Sequence, residues 1–260
     1  MSKQKLVGLI ASGRMVESPL MRYPELAGSL GPVVAESKRV ASRYANAMRA
    51  GHAAEREELA ECKLVLIQAP RAAVPWAVEE LLAGGGNWRA RAVVWLHQRL
   101  GVRALAALRE RRAMVAAAGF APTRAKAMLV VEGDLGAVRA VREWARPVRL
   151  RCVELPPGGA AMYQAGLILA GSMVSPVVDA ALRSFRAAGF GMPESKRMLE
   201  EVVDEALRDY QAHGRKKWVN PGVERGGDCL PDADAALAQY YRRMLRSTLE
   251  YYGQPLDELS

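Results

Sequence analysis

Up to about residue 154 the chain alternates short apolar runs with stretches in which apolar residues recur every three or four positions. That alternation is how a chain builds a parallel sheet joined by crossover helices. The runs predict strands at 5–10, 32–36, 63–69, 92–97, 113–118, 127–133 and 148–155. Helices are predicted over 38–50, where Val40, Tyr44 and Met48 share a face, and over 55–62, 73–83, 101–111 and 135–145. Pro19 and Pro24 shorten whatever helix follows Gly13, because proline is tolerated in a first turn and not in an interior. After Pro156-Pro157-Gly158-Gly159 no β-like run follows, and helices are predicted near 160–188, 193–212 and 232–252. The glycine- and proline-rich stretch 218–232 between the last two is a loop. The fold class that follows is α/β, a mostly parallel sheet domain over 1–155 and an all-α domain over 156–260.

Residues 155–178 contain no charged side chain, a length that could span a bilayer. Pro156, Pro157 and the two glycines after them break its start, and Gln164, Ser172, Ser175 and Pro176 interrupt the rest. The expectation is therefore a buried central helix, with Ala165, Gly166, Ala170 and Gly171 small enough for another helix to approach. The N-terminal apolar run has the length of a buried strand and is too brief for a secretion signal. Cys62, Cys152 and Cys229 lie far apart without metal-ligand spacing, which argues against disulfides and zinc and fits a reducing cytoplasm.

Half of the 260 residues are apolar, enough for one large or two ordinary cores, and the formal net charge is +9. Between Arg89 and Arg151 there are 14 Arg or Lys against 4 Asp or Glu. Such an excess raises nucleic acid as a partner. The arginines are spread through helical and strand patterns with few aromatics between them and form no nucleic-acid-binding signature, so a solvated surface is the reading adopted.

The first strand runs into a turn that carries part of a phosphate-binding pattern. A dinucleotide-binding turn needs three glycines: for the tight turn, for backbone approach to the pyrophosphate, and for helix-to-strand packing. Aligned on that pattern, the chain has Ala11 first, Gly13 in the middle and Val16 third, with Ser12 and Arg14 beside the retained glycine. A branched Val16 at the packing position predicts a weakened or remodelled phosphate site. Strand two ends at Glu36, where a carboxylate would take a ribose hydroxyl, while Ser37, Lys38 and Arg39 could hold a 2′-phosphate. Both NAD and NADP stay open, as does a plain charged turn.

This start, the EGDLGAVRAVREWARPV segment at 132–148 and AMYQAGLILAGSMVSPVVDAALRSFRAAGF at 161–190 come in an order that resembles a bacterial family. In it a Rossmann-like domain of the F420-dependent NADP oxidoreductase type precedes a helical domain of unknown function, number 2520, over roughly residues 4 to 190. That family is in turn similar to pyrroline-5-carboxylate reductases and 6-phosphogluconate-type dehydrogenases. The resemblance implies a dinucleotide at the strand ends, a small-molecule substrate between domains, and a homodimer through a helical domain like the 6-phosphogluconate dehydrogenase C-terminal one.

Carried over residue by residue, the resemblance places Gln68, Ala69, Pro70 and Arg71 where relatives tend to read Ala-Val-Pro-Asp beside the nicotinamide. It places Trp95-Leu96-His97-Gln98 at a turn of the His-x-Ser-Gly type, and Tyr163-Gln164 at a Tyr-His pair, with Ser172 for a downstream asparagine. Hydride transfer needs an acid or base for the accompanying proton, and glutamine cannot serve at neutral pH. His97, at a strand end, is the titratable candidate, with Tyr163 as donor or anchor. His52, His97 and His213 share no metal-ligand spacing, and no Walker loop, nucleophile elbow or zincin motif occurs. The expectation is an NAD(P)-dependent oxidoreductase of unknown substrate, with His97, Tyr163, Gln164 and Ser172 at the reacting end. The alternative is a non-catalytic relative, with cofactor binding weak or absent, kept as a small-molecule-binding or dimeric scaffold.

Overall fold

The computed structural model describes residues 7–14, 19–97, 100–122 and 128–213, with Gln239 and Arg243 beyond them. Val16 and the helix expected over 232–252 lie outside the described residues, the latter but for those two positions. The chain divides into two compact units, residues 1–171 and 172–260.

The first unit is built on an eight-stranded sheet in the order β3-β2-β1-β4-β5-β6-β7-β8. These are β1 (Val7–Ala11), β2 (Leu30–Val34), β3 (His52–Ala53), β4 (Leu64–Gln68), β5 (Ala92–Leu96), β6 (Met114–Phe120), β7 (Met128–Gly133) and β8 (Arg151–Glu154). The first six run parallel, β7 turns antiparallel to β6, and β8 runs with β7. The order reverses between β1 and β4, and such a switch point opens a crevice at the carboxyl ends of the strands. The two-residue β3 is too short to show as an apolar run; it escaped the sequence pattern.

All five residues of β1, β2, β4 and β5 are buried, as strands covered on both faces must be. Alternate side chains feed two cores. Leu9, Leu66, Val94 and Ala116 pack under α3 (Lys38–Met48) and α7 (Leu135–Ala145), joined by Leu20 of α1 (Pro19–Arg22) and Leu26 of α2 (Pro24–Ala27). Ile10, Val65, Ile67, Val93 and Trp95 pack under α4 (Arg56–Leu59), α5 (Val74–Ala83) and α6 (Ala106–Glu110). α2, entered at Pro24, is four residues long, as a helix shortened by proline would be.

Every described element after β8 is a helix: α8 (Gly159–Ala170), α9 (Val174–Ala187) and α10 (Met192–His213). The single helix expected over 160–188 is broken at 171–173. Gly171 leaves helical geometry at φ −120° and ψ −88°, and Pro176 cannot donate to the carbonyl of Ser172. The stretch Gly159–Ala187 passes for a membrane span by length and composition alone. The break leaves α8 with 12 residues, about 18 Å of helix against the ~30 Å of a bilayer core, and α9 carries Asp179, Arg183 and Arg186.

The burial expected of this stretch is not realised within one chain. Only Ala160 of α8 is buried, while Met162, Ile168 and Leu169 are exposed. A helix buries its apolar face only where a partner covers it, and sequence does not say whether that partner is the same molecule. In the second unit α9 packs on α10, burying Ala180 and Ser195, with Phe185 edge-on to Phe190.

Candidate functional site

The crevice is formed where β1, β2, β4 and β5 end. Ala11 closes β1, fully buried and in register with Gln68 of β4. The next backbone N–H, of Ser12, still donates to the Gln68 carbonyl at 2.9 Å, so the turn leaves the sheet only at Gly13. Gly13 takes φ +89°, open to glycine and strained for other residues. A Cβ there would also lie 3.1 Å from Pro70 Cδ. The exposed turn, Gly13 and Arg14, thus faces the crevice with one side against the Gln68–Arg71 loop.

Tyr44 anchors the turn from α3. Its buried hydroxyl donates to the Gly13 carbonyl at 2.7 Å. Sequence periodicity marked Tyr44 only as a core position on α3; its polar end acts 31 residues away. The β4 loop is fixed in turn by Trp95, whose buried indole N–H donates to the Ala69 carbonyl at 3.0 Å. Gln68 is buried, and Arg71, exposed, opens a 3-10 turn over Arg71–Ala73.

Two residues past β2, Glu36 accepts a hydrogen bond from Ser12 Oγ at 2.5 Å, joining the glycine turn to the neighbouring strand end. Ser37 caps α3, its Oγ accepting from Val40 N–H at 3.3 Å. Lys38 pairs with Glu55 at 3.1 Å, and Arg39 is exposed on the first turn of α3. Around Glu36 an open depression of about 250 Å³ is bounded also by residues from α4 and α5. Its walls Glu55, Arg56, Glu57 and Glu80 carried no signal in the sequence, because β3, α4 and α5 bring them there.

His97 lies one residue beyond β5, half-buried, with its ring stacked on Trp95 at 4.8 Å and its backbone N–H donating to the Ala118 carbonyl at 2.9 Å. The structure therefore brings the expected cofactor residues Ala11, Ser12, Gly13, Glu36 and Gln68–Pro70 together through direct contacts. Tyr163 and Gln164 are half-buried on α8. Burial pushes the Tyr163 hydroxyl above its ordinary value, so it stays protonated near neutrality and can donate. Ser172 is exposed and is the first residue of the second unit. Among the described residues no cluster of His, Cys, Asp or Glu could hold a metal ion. Among the described residues the arginines between 89 and 151 are exposed apart from the half-buried Arg91, with Arg109 paired with Asp134 and Arg142 with Glu154.

Solved structures share this architecture. A Bacteroides fragilis protein provisionally named an NADP oxidoreductase superposes with a TM-score of 0.65 at 12% identity, covering 95% of this chain and 98% of its own. An imine reductase from Myxococcus stipitatus, solved with NADP+, gives 0.62 at 15% identity, over 95% of this chain and 94% of that one. A pyrroline-5-carboxylate reductase from Coxiella burnetii gives 0.54 at 12% identity, over 94% and 93%. No family model matches the chain, and no curated protein matches it in sequence. At these identities the likeness establishes the fold, a Rossmann-like sheet followed by helices, as the strand pattern implied.

The residues present fit a dinucleotide at two points. Gly13 offers a positive-φ turn at the switch-point crevice, and Glu36 sets a carboxylate in a depression at the end of the next strand.

Proposed function

We propose that the protein is an NAD(P)-dependent oxidoreductase that reduces a small C=N or C=O substrate, or oxidises the corresponding product. The observation that carries the reading is the continuous link from the Gly13 turn through Ser12 to Glu36, at the carboxyl ends of the strands where this fold binds ligands. The imine and pyrroline-5-carboxylate reductases of similar fold support the substrate class. Residues 11–14 face the pyrophosphate, 36–39 the adenosine ribose and 68–71 the nicotinamide half. A bound nicotinamide supplies or accepts the hydride. The chain must then deliver the proton that accompanies it, and His97 is the residue at the β5 end able to do so. Tyr163, held protonated, serves as a hydrogen-bond donor to the substrate, and Gln164 orients it without exchanging protons.

The apolar side chains left uncovered on α8, α9 and α10, among them Met162, Ile168, Val177 and Leu207, support assembly as a homodimer through the helical part. The reading is of a soluble cytoplasmic enzyme without a metal. The test is oxidation of NADH and NADPH in the presence of cyclic imines, 2-oxo acids and aldehydes. An active protein should lose about 10²–10⁴-fold in kcat on His97→Ala while retaining cofactor affinity. Absence of turnover with every substrate, beside measurable dinucleotide binding, would make the chain a binding protein and refute the enzymatic reading.

A further inference from the structure

We infer that the site selects NAD(H) over NADP(H), a choice that rests on the dinucleotide reading above and adds the identity of the cofactor. The depression beside the end of β2 is lined by four carboxylates, Glu36, Glu55, Glu57 and Glu80, and by two cations, Lys38 and Arg56. Both cations are engaged. Lys38 lies 3.1 Å from Glu55, and Arg56 reaches Glu57 at 3.4 Å and Glu80 at 3.3 Å. The lining carries two more negative charges than positive.

The adenosine ribose of NAD(H) presents two hydroxyl donors, and an ionised carboxylate only accepts, so Glu36 is matched to that diol. Ser12 Oγ already donates to Glu36 from the glycine-turn side, which directs the carboxylate toward the turn and its ligand. In NADP(H) one hydroxyl is replaced by a phosphate close to −2 at neutral pH, which carries acceptor oxygens and no comparable donors. It would meet Glu36 as a like charge, with Lys38 and Arg56 already paired with other carboxylates. Arg39, the remaining cation of the turn, lies outside the lining that holds Glu36. Repulsion at Glu36 therefore decides the preference.

The experiment is calorimetric titration of the full-length protein with NADH and with NADPH, at low salt and at high salt. NADH is expected to bind at least about tenfold more tightly at low salt, roughly 1.4 kcal/mol, and the gap should narrow as salt screens the carboxylates. Glu36→Gln should weaken NADH and bring the two affinities together. The double change Glu57→Gln with Glu80→Gln, which releases Arg56 and leaves Glu36 in place, should shift the ratio of NADPH to NADH affinity severalfold toward NADPH. NADPH binding equal to or tighter than NADH in the unmodified protein overturns the inference and leaves the dinucleotide reading standing. Binding of neither overturns both.

Discussion

Replacing Gly13 by alanine puts two separable costs on one methyl group. The first is conformational: at φ +89° an L side chain crowds its own backbone, which costs about 1–2 kcal/mol. The second is packing: the new Cβ would sit 3.1 Å from Pro70 Cδ and 3.4 Å from Cγ, atoms of a ring that cannot rotate away. Relieving that contact moves either the β4 loop, which the Trp95 indole holds, or the turn, which the Tyr44 hydroxyl holds. Overpacking of this kind adds about 1 kcal/mol or more. Gly158 supplies the control, because it has φ +83° and an added Cβ there meets nothing within 4 Å. Gly158→Ala should therefore show the conformational cost alone. The assay is denaturant unfolding of both variants, with NADH titration of each. Gly13→Ala should be the less stable by about 1 kcal/mol and should bind NADH at least tenfold more weakly, while Gly158→Ala binds normally. Equal stability of the two, or undiminished binding by Gly13→Ala, would refute the reasoning that the Gly13 turn is both sterically closed by Pro70 and in contact with the cofactor.

Tyr44→Phe removes the hydroxyl that holds the Gly13 carbonyl and should cost about 1 kcal/mol by denaturant unfolding, with weaker NADH binding by calorimetry. Undiminished binding would mean that the anchor does not set the turn. Burial pushes the Cys62 thiol up to about 11 from 9.0, so the folded state holds its proton longer than the unfolded state does. The stability this contributes is complete below pH 9 and is lost as pH rises from 9 toward 11. Thermal unfolding across that window should fall less steeply for Cys62→Ala, and parallel curves would contradict it. Light scattering should find dimers at micromolar concentration, and Ala170→Glu, on the exposed α8, should yield monomers with the sheet-end site intact. A monomeric unmodified protein would remove the proposed interface.

The parts of the site legible in the sequence are those set by residues close together along the chain. A buried apolar run ending in a glycine located β1 and its turn, and a second run ending in Glu36 located the end of β2. Tyr44, Glu55, Glu57 and Glu80 were not legible as site residues, because their roles arise from packing across separate crossovers. Tyr44 reads as an ordinary core residue until α3 is laid on the sheet and its hydroxyl meets Gly13. The carboxylates of α4 and α5 read as solvated charges until β3 pairs with β2 and turns α4 toward Glu36. The helical part was legible in kind, and its break at 171–173 was not. The small residues there permit either a helix or a turn, and the backbone of Gly171 decides it.

Amide hydrogen exchange measured with and without saturating NADH tests the central claim most directly, because it reports where on the chain a dinucleotide sits. The account predicts slower exchange in the peptides covering residues 11–14, 36–39 and 68–71, with little change at the edge strand β8. Protection confined to other segments, or no protection at saturating NADH and NADPH, would contradict it.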